Sequence, residues 1–225
     1  MNDLLVITAC TGETGTLSLY RRQLADANID FYVEPLEPFF ATDFGATLTR
    51  FRNWSTKFAE YERLVFSDGF DVLFYGTRED VISKIPMDHV LMAAEKNCYP
   101  DSSIAQSIID RYPDRGPHCF ANGGLLAGTP KAIYEWSDNL EKHPLYLPCL
   151  INQGFYNTLL AEGSDLCRLD YTTSLLYCLY PVYAELEFEK GLPVNTLYGT
   201  HPHFLHANGR CPVDEMLQKY ERSLQ

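Results

Sequence analysis

Basic residues are scarce in this chain: 18 Lys and Arg stand against 30 Asp and Glu, a formal net charge of −12 over 225 residues. Such a field repels polyanions unless a local basic patch outweighs it, which disfavours stable duplex nucleic-acid binding. No apolar run approaches the roughly 20 residues of a membrane helix. The patterns GxGxxG, GxxxxGK[ST] and CxxC are all missing. Their absence leaves the dinucleotide fold, the P-loop and a zinc cluster without support. Seven scattered cysteines, an odd number, build no disulfide framework and fit reduced thiols in a cytoplasm. Met1-Asn2-Asp3-Leu4-Leu5-Val6-Ile7-Thr8 has no basic region ahead of its apolar stretch, so a first strand is expected there and not a signal peptide. Repeats, low-complexity tracts and linker composition are also lacking, and one domain, 1–225, is the economical reading.

What is present is the balance of a folded protein with a core: 46% hydrophobic and 21% charged residues. Leu4–Ala9 reads as a buried strand followed by a turn. A helix is predicted over Leu17–Ala27, where Leu17, Tyr20, Leu24 and Ala27 fall near helical spacing. A second strand covers Phe31 and Val33 and ends at Pro35, and a helix is predicted from Leu48 to Tyr61. A third strand follows at Arg63–Phe66. Strand, helix, strand, helix, strand is the order of a parallel sheet with covering helices. Glu34–Gly45 and Asn97–His118 are expected to be loops. Pro130–Lys142 and Asn152–Ala161 are expected to be helices, the first with proline in its opening turn.

The segment richest in chemistry is Leu64-Val65-Phe66-Ser67-Asp68-Gly69-Phe70-Asp71-Val72-Leu73-Phe74. Two carboxylates three positions apart leave the end of an apolar strand, where a parallel sheet collects its ligands. They suit one hard cation such as Mg²⁺ or Mn²⁺; a solvated turn is the plainer reading. Other signals leave their alternatives open in the same way. Asn122-Gly123-Gly124 admits either a close backbone approach to a ligand or a tight hairpin turn. His206, in His206-Ala207-Asn208-Gly209, is a metal ligand or a satisfied structural histidine. Glu95 closes an apolar strand as a helix cap or a site carboxylate. Thr8–Thr14 offers backbone N–H groups to a nucleotide. Asn152, Gln153 and Tyr156 line a pocket or open a capped helix. Among 15 Tyr and 13 Phe, Tyr99 and Trp54 are candidates to stack on a base or sugar, against core packing.

The order of these segments resembles the glycosyltransferase domain of the procollagen lysyl hydroxylase family and related stand-alone enzymes. The likeness runs from about Leu4 to Gly209. It rests most specifically on Asp68-x-x-Asp71 after a strand and on His206-x-Asn208-Gly209. The resemblance implies a GT-A fold, an αβα sandwich with a mostly parallel central sheet. It implies UDP-glucose or UDP-galactose as donor and Mn²⁺ as the ion, with Mg²⁺ as a substitute. By position, Asp68, Asp71 and His206 correspond to the metal ligands. Thr8, Ala9 and Thr11 correspond to the uridine-facing strand end, and Arg50 to a basic group meeting the donor. Glu95, Tyr99, Asn122, Gly123, Gly124, Asn152, Gln153, Asn208 and Gly209 correspond to pocket residues. The likeness departs where an acidic run has become Leu150-Ile151-Asn152-Gln153, where a tryptophan has become Tyr99, and where Arg210 follows the terminal motif in place of lysine.

The activity expected is Mn²⁺-dependent transfer of a hexose to a hydroxyl acceptor, a hydroxylated side chain or a glycan, in the cytoplasm and without a membrane. Glu95, Asn152 and Asp170 are the candidates for catalytic roles. A hydroxymethylated nucleic-acid base is the alternative acceptor. A non-catalytic nucleotide-sugar-binding module and a metal-dependent phosphohydrolase are the rival readings.

Overall fold

The computed structural model describes residues 2–12, 14–36, 47–146, 152–180 and 184–224. Its N-terminal half is the expected alternation. Strands β1 (Asn2–Cys10), β2 (Asp30–Pro35) and β3 (Tyr61–Asp68) lie parallel, with β1 between the other two. Helix α1 (Gly15–Asp26) begins where the Thr14 hydroxyl accepts from the Leu17 N–H at 3.1 Å, a side-chain cap for an otherwise orphaned donor. Helix α2 (Thr47–Lys57) stops four residues short of the predicted Tyr61. Tyr61 opens β3 instead, paired with Asn2 and donating its hydroxyl to Asp30 at 2.9 Å. Strand pairing has overridden local helical spacing there. The expected loop 34–45 falls, from position 37 on, outside the described residues.

Beyond β3 come β4 (Val72–Phe74), α3 (Arg78–Lys84), β5 (Leu91–Glu95), α4 (Ala105–Arg111), β6 (Phe120–Gly128), α5 (Pro130–Glu141) and α6 (Asn152–Glu162). Helix α4 lies inside the stretch expected to be loop; it buries only Ile108, too little for a visible period. The chain continues through β7 (Arg168–Asp170), β8 (Leu176–Cys178), a hairpin of β9 (Leu186–Glu189) and β10 (Leu192–Asn195), then β11 (Phe204–His206) and α7 (Val213–Ser223). Nine strands form one mixed, mostly parallel sheet in the order β2-β1-β3-β6-β5-β8-β11-β4, with β7 alongside β5. Strand β6 runs against both its neighbours, and β4 runs against β11.

Side chains alternate across this sheet with period two, so it has two apolar faces. Leu5, Ile7, Leu64, Phe66 and Met92 pack with α2, α5 and α6 through Phe51, Trp54, Trp136 and Phe155. Leu4, Val6, Val65, Ala93 and Leu125 pack with α1 and α3 through Tyr20, Leu24 and Val81. The result is the αβα sandwich that the family resemblance implied. A third cluster seats α7 and the hairpin beside β11, with Leu73, Leu205 and Met216 at its centre. No helix among the described residues is long and apolar enough to cross a membrane.

The sheet matters here because it delivers strand ends to one place. Phe204 anchors β11 with no exposed surface, its ring 5.2 Å from that of Phe74. Phe204→Ala is expected to cost about 3–5 kcal/mol, read as a lower urea midpoint with an unchanged denaturant slope. A loss below about 1 kcal/mol would show that this strand is not held by that contact.

Candidate active site

Strand β3 ends at Asp68, the following turn carries Asp71, and β11 ends at His206. His206 Nε2 stands 3.2 Å from Asp68 Oδ2 and 3.3 Å from Asp71 Oδ1. One ligand atom from each residue falls within 4.8 Å of the others. The backbone ties the two regions together, since the Ala207 N–H donates to the Asp71 carbonyl at 2.8 Å. Burial works against a charged His206, yet the hydrogen bonds and charges of both aspartates overcome it and hold the imidazolium well above the ordinary histidine range. Burial likewise pushes the Asp71 carboxyl up, and the hydrogen bond and charge of His206 outweigh it, so the net shift is downward.

Asn122-Gly123-Gly124 is not a hairpin turn. It lies inside β6, at a bulge where the pairing with β5 passes from Met92↔Leu126 to Ala94↔Ala121. Five steps of β6 thus face two of β5, and the surplus residues swing into the cleft. A side chain at Gly124 would collide with both the His206 ring and the Asp68 carboxylate. Glycine is therefore what lets the strand back up against the acid–histidine cluster.

Below the cluster sits Glu95, at the end of β5 and only 2% exposed. Three side-chain amides donate to its carboxylate: Asn122 at 3.2 Å, Asn208 at 2.5 Å, and Gln153. Burial raises its pKa to about 7, opposed by those hydrogen bonds. Asn208 in turn accepts from the Tyr180 N–H at 3.1 Å. Gly209 has φ +64, a left-handed conformation, and a side chain there would strike the Tyr180 ring. Each polar position of His206-x-Asn208-Gly209 thus has its own job in the local geometry.

A cleft of ≈ 670 Å³ joins these groups. Its walls hold Thr8, Ala9, Thr11, Arg50, Asp68, Asp71, Glu95, Tyr99, Asn122, Gly123, Gly124, Asn152, Gln153, His206, Asn208 and Gly209, so the expected site residues converge with one exception. The exception is Asp170. Its carboxylate is buried away from the cleft and accepts from the Leu175 N–H at 2.7 Å, the Leu176 N–H at 2.9 Å, and the N–H and hydroxyl of Ser174. It caps the entry to β8 and does not line the cleft. The side chain of Arg210 lies outside the described residues, as do Leu150 and Ile151. Sequence reasoning missed Phe70 and Tyr180, two aromatic rings on the cleft wall, and assigned no pocket role to Phe51 or Phe66. Phe70 stood inside the quoted motif, but its exposure has no sequence signal. Trp54 also lines this wall, stacked on Phe66 at 5.3 Å between ring centroids, so its core and pocket readings both hold.

Two carboxylate oxygens and one imidazole nitrogen form a donor set suited to a hard or borderline divalent cation. Three protein ligands leave coordination positions for substrate oxygens. The buried Thr8 hydroxyl, on the same wall, has no hydrogen-bond partner among the described residues and so has a hydrogen bond to offer a ligand. Arg50 makes no ion pair among them and brings a positive charge to the cleft wall.

The family model described as the PLOD GT domain matches residues 1–222. The chain is 22% identical over 166 residues to procollagen-lysine,2-oxoglutarate 5-dioxygenase of Drosophila melanogaster; the match takes in 67% of this chain and 22% of that protein. It thus spans under a quarter of the length of this curated relative. Among solved structures, a glycosyltransferase involved in glycosylation of the major capsid of PBCV-1 superimposes with a TM-score of 0.57 at 14% identity, covering 96% of this chain and 98% of the other. The likeness in fold extends over both chains nearly end to end.

Two outcomes follow from the geometry. Gly124→Ala is expected to displace the His206 ring or the Asp68 carboxylate and so to weaken divalent-cation binding, titrated with Mn²⁺ as the probe, while a folded circular-dichroism spectrum is kept; unchanged affinity would show that the close approach is dispensable. The second concerns Glu95, whose folded pKa of about 7 exceeds its unfolded value. Between the two values the folded state holds the extra proton, so the stability linked to this group is greatest at low pH and declines as pH rises through about 7. In chelator, the melting temperature of the unsubstituted protein minus that of Glu95→Gln should fall from about pH 5 to about pH 8. A difference independent of pH would mean that the carboxyl does not titrate in this range.

Proposed function

We propose that this chain, which belongs to the PLOD GT domain family of glycosyltransferases, transfers glucose or galactose from a UDP-sugar to a hydroxyl acceptor, with Mn²⁺ held by Asp68, Asp71 and His206. The observation that carries this reading is the meeting of those three side chains, from distant parts of the sequence, at the mouth of a cleft rich in asparagine and glycine. Mg²⁺ is the substitute ion. A divalent ion supplies charge neutralisation for a leaving nucleoside diphosphate, which then departs without a proton transfer.

The remaining roles belong to the chain itself. Thr8, Ala9 and Thr11, at the C-terminal end of β1, face the uridine, and the unpartnered Thr8 hydroxyl supports that assignment. Arg50 meets the negative charge of the diphosphate. Asn122, Gly123, Gly124, Gln153, Asn208 and Gly209 hold sugar hydroxyls through amide and backbone groups, and this orientation lowers the remaining barrier. The half-exposed ring of Tyr99 stacks at the rim. Glu95 serves by fixing three amides more than by taking a proton, because its oxygens are already occupied. Asn152, in the first turn of α6, stands on the acceptor side.

A hydroxylated side chain or a glycan is the acceptor. The net charge of −12 and three carboxylates lining the cleft weigh against a hydroxymethylated base in nucleic acid. The whole chain, 1–225, works as one domain, in keeping with a single sheet that takes strands from both halves. A cytoplasmic setting accords with six free cysteines among the described residues.

The test is a panel of nucleotide sugars with Mn²⁺ or chelator, read as released UDP, as melting shifts, and as the intact mass of candidate acceptors. UDP-glucose or UDP-galactose is expected to be consumed when acceptor is added, and Asp71→Ala to lower turnover at least about 100-fold while still unfolding in one cooperative transition. A melting shift with no UDP release under any condition would turn the assignment to a binding module. Undiminished transfer by Asp71→Ala in Mn²⁺ would end the metal assignment.

A further inference from the structure

We infer that Asn122 is a positioning residue that decides which nitrogen of His206 is presented to the divalent ion. The inference rests on the metal site proposed above and goes beyond its three ligands. Asn122 Oδ1 lies 2.8 Å from the Gly124 backbone nitrogen. A backbone N–H can only donate, so the atom facing it is the amide oxygen. The amide nitrogen donates to Glu95 Oε2 at 3.2 Å. Both ends are pinned. Turning the amide over would set its NH₂ against the Gly124 N–H and its oxygen against a carboxylate.

The same oxygen stands 3.2 Å from His206 Nδ1. Nδ1 must therefore carry hydrogen and donate it. The other neighbour of Nδ1, the Cys178 thiol at 3.8 Å, is a weak partner and does not compete. With Nδ1 committed, Nε2 is the atom offered to Asp68 and Asp71. Removing the amide frees the alternative tautomer, in which Nε2–H donates to either aspartate and a proton stands where the ion binds. The bulge in β6 carries the Asn122 side chain to this point, so the amide is part of the strand geometry and not of a loop.

The experiment titrates Mn²⁺ into the unsubstituted protein, Asn122→Ala and Asn122→Asp, following free Mn²⁺ by electron paramagnetic resonance. Asn122→Ala should bind about 10–100-fold more weakly with its circular-dichroism spectrum intact. Asn122→Asp still accepts from Nδ1–H and sets its second oxygen against Glu95, which is protonated below about pH 7 and can then donate to it; titrated at pH 6, this variant should recover most of that loss. Long-range ¹H–¹⁵N spectra of the unsubstituted protein loaded with Zn²⁺, a diamagnetic stand-in, should show a protonated Nδ1 and a metal-shifted Nε2. Equal affinity for Asn122→Ala and the unsubstituted protein, equal weakening in both variants, or a protonated Nε2 in the zinc complex would each overturn the role of Asn122. If Asn122→Ala does not fold, the zinc spectrum and the aspartate variant still decide. Absence of Mn²⁺ binding by the unsubstituted protein would instead overturn the metal site itself.

Discussion

The cleft depends on one three-residue strand keeping its place. Strand β11 lies between β8 and β4, and its last residue turns an imidazole toward two carboxylates that arrive from β3 and the turn after it. No other described side chain could take that position, because His206 is 3% exposed and walled in by Cys178, Asn122 and Gly124. A neutral ring there would leave two acids facing each other across a lone pair. Positive charge is thus demanded by the geometry, and a proton on His206 or a divalent ion would each supply it.

Glu95 shows the same economy of charge one layer deeper. A carboxylate removed from water is costly unless hydrogen bonds replace its hydration. Three amides do so here, and each amide has a second duty toward the cleft or the backbone. Asn122 reaches His206, Asn208 reaches Tyr180, and Gln153 opens the α6 wall. One buried acid therefore coordinates groups drawn from β6, α6 and the segment after β11. Its partial neutralisation near pH 7 keeps the cost within what amides can offset.

Much of this was legible in the residues. The apolar runs at 4–9 and 64–66 and the intervening helical spacing specified parallel strands because burial on both faces leaves an unbroken apolar run and not an alternation. The Asp-x-x-Asp and His-x-Asn-Gly patterns were visible as chemistry, but only the order of segments in a known family joined them, since residues 68 and 206 have no local relation. What failed did so for tertiary reasons. Asn122-Gly123-Gly124 admitted a hairpin turn or a close approach to a ligand, and strand pairing on either side of it, with β5 at Ala121 and with β3 and β5 at Leu125 and Leu126, makes it a bulge on the cleft instead of a turn. Asp170 ends the short strand β7, and its oxygens are filled by backbone N–H groups that only the folded chain brings to it. Phe70 and Tyr180 were missed because no pattern distinguishes an aromatic ring at a rim from one in a core.

The placement of β4 has a consequence for how the molecule comes to be made. Val72–Phe74 follows β3 closely in sequence, yet its sheet partner is β11, emerging from the ribosome some 130 residues later. At ordinary synthesis rates of about 5–20 residues per second, that interval lasts several seconds. The first three strands and two helices can meet meanwhile, but the edge that carries Asp71 has nothing to pair with. A nascent chain therefore carries the two carboxylates without their imidazole until synthesis is nearly done. The arrival of Phe204-Leu205-His206 closes the sheet and brings the three side chains together in a single event, so that the candidate site is assembled last and all at once.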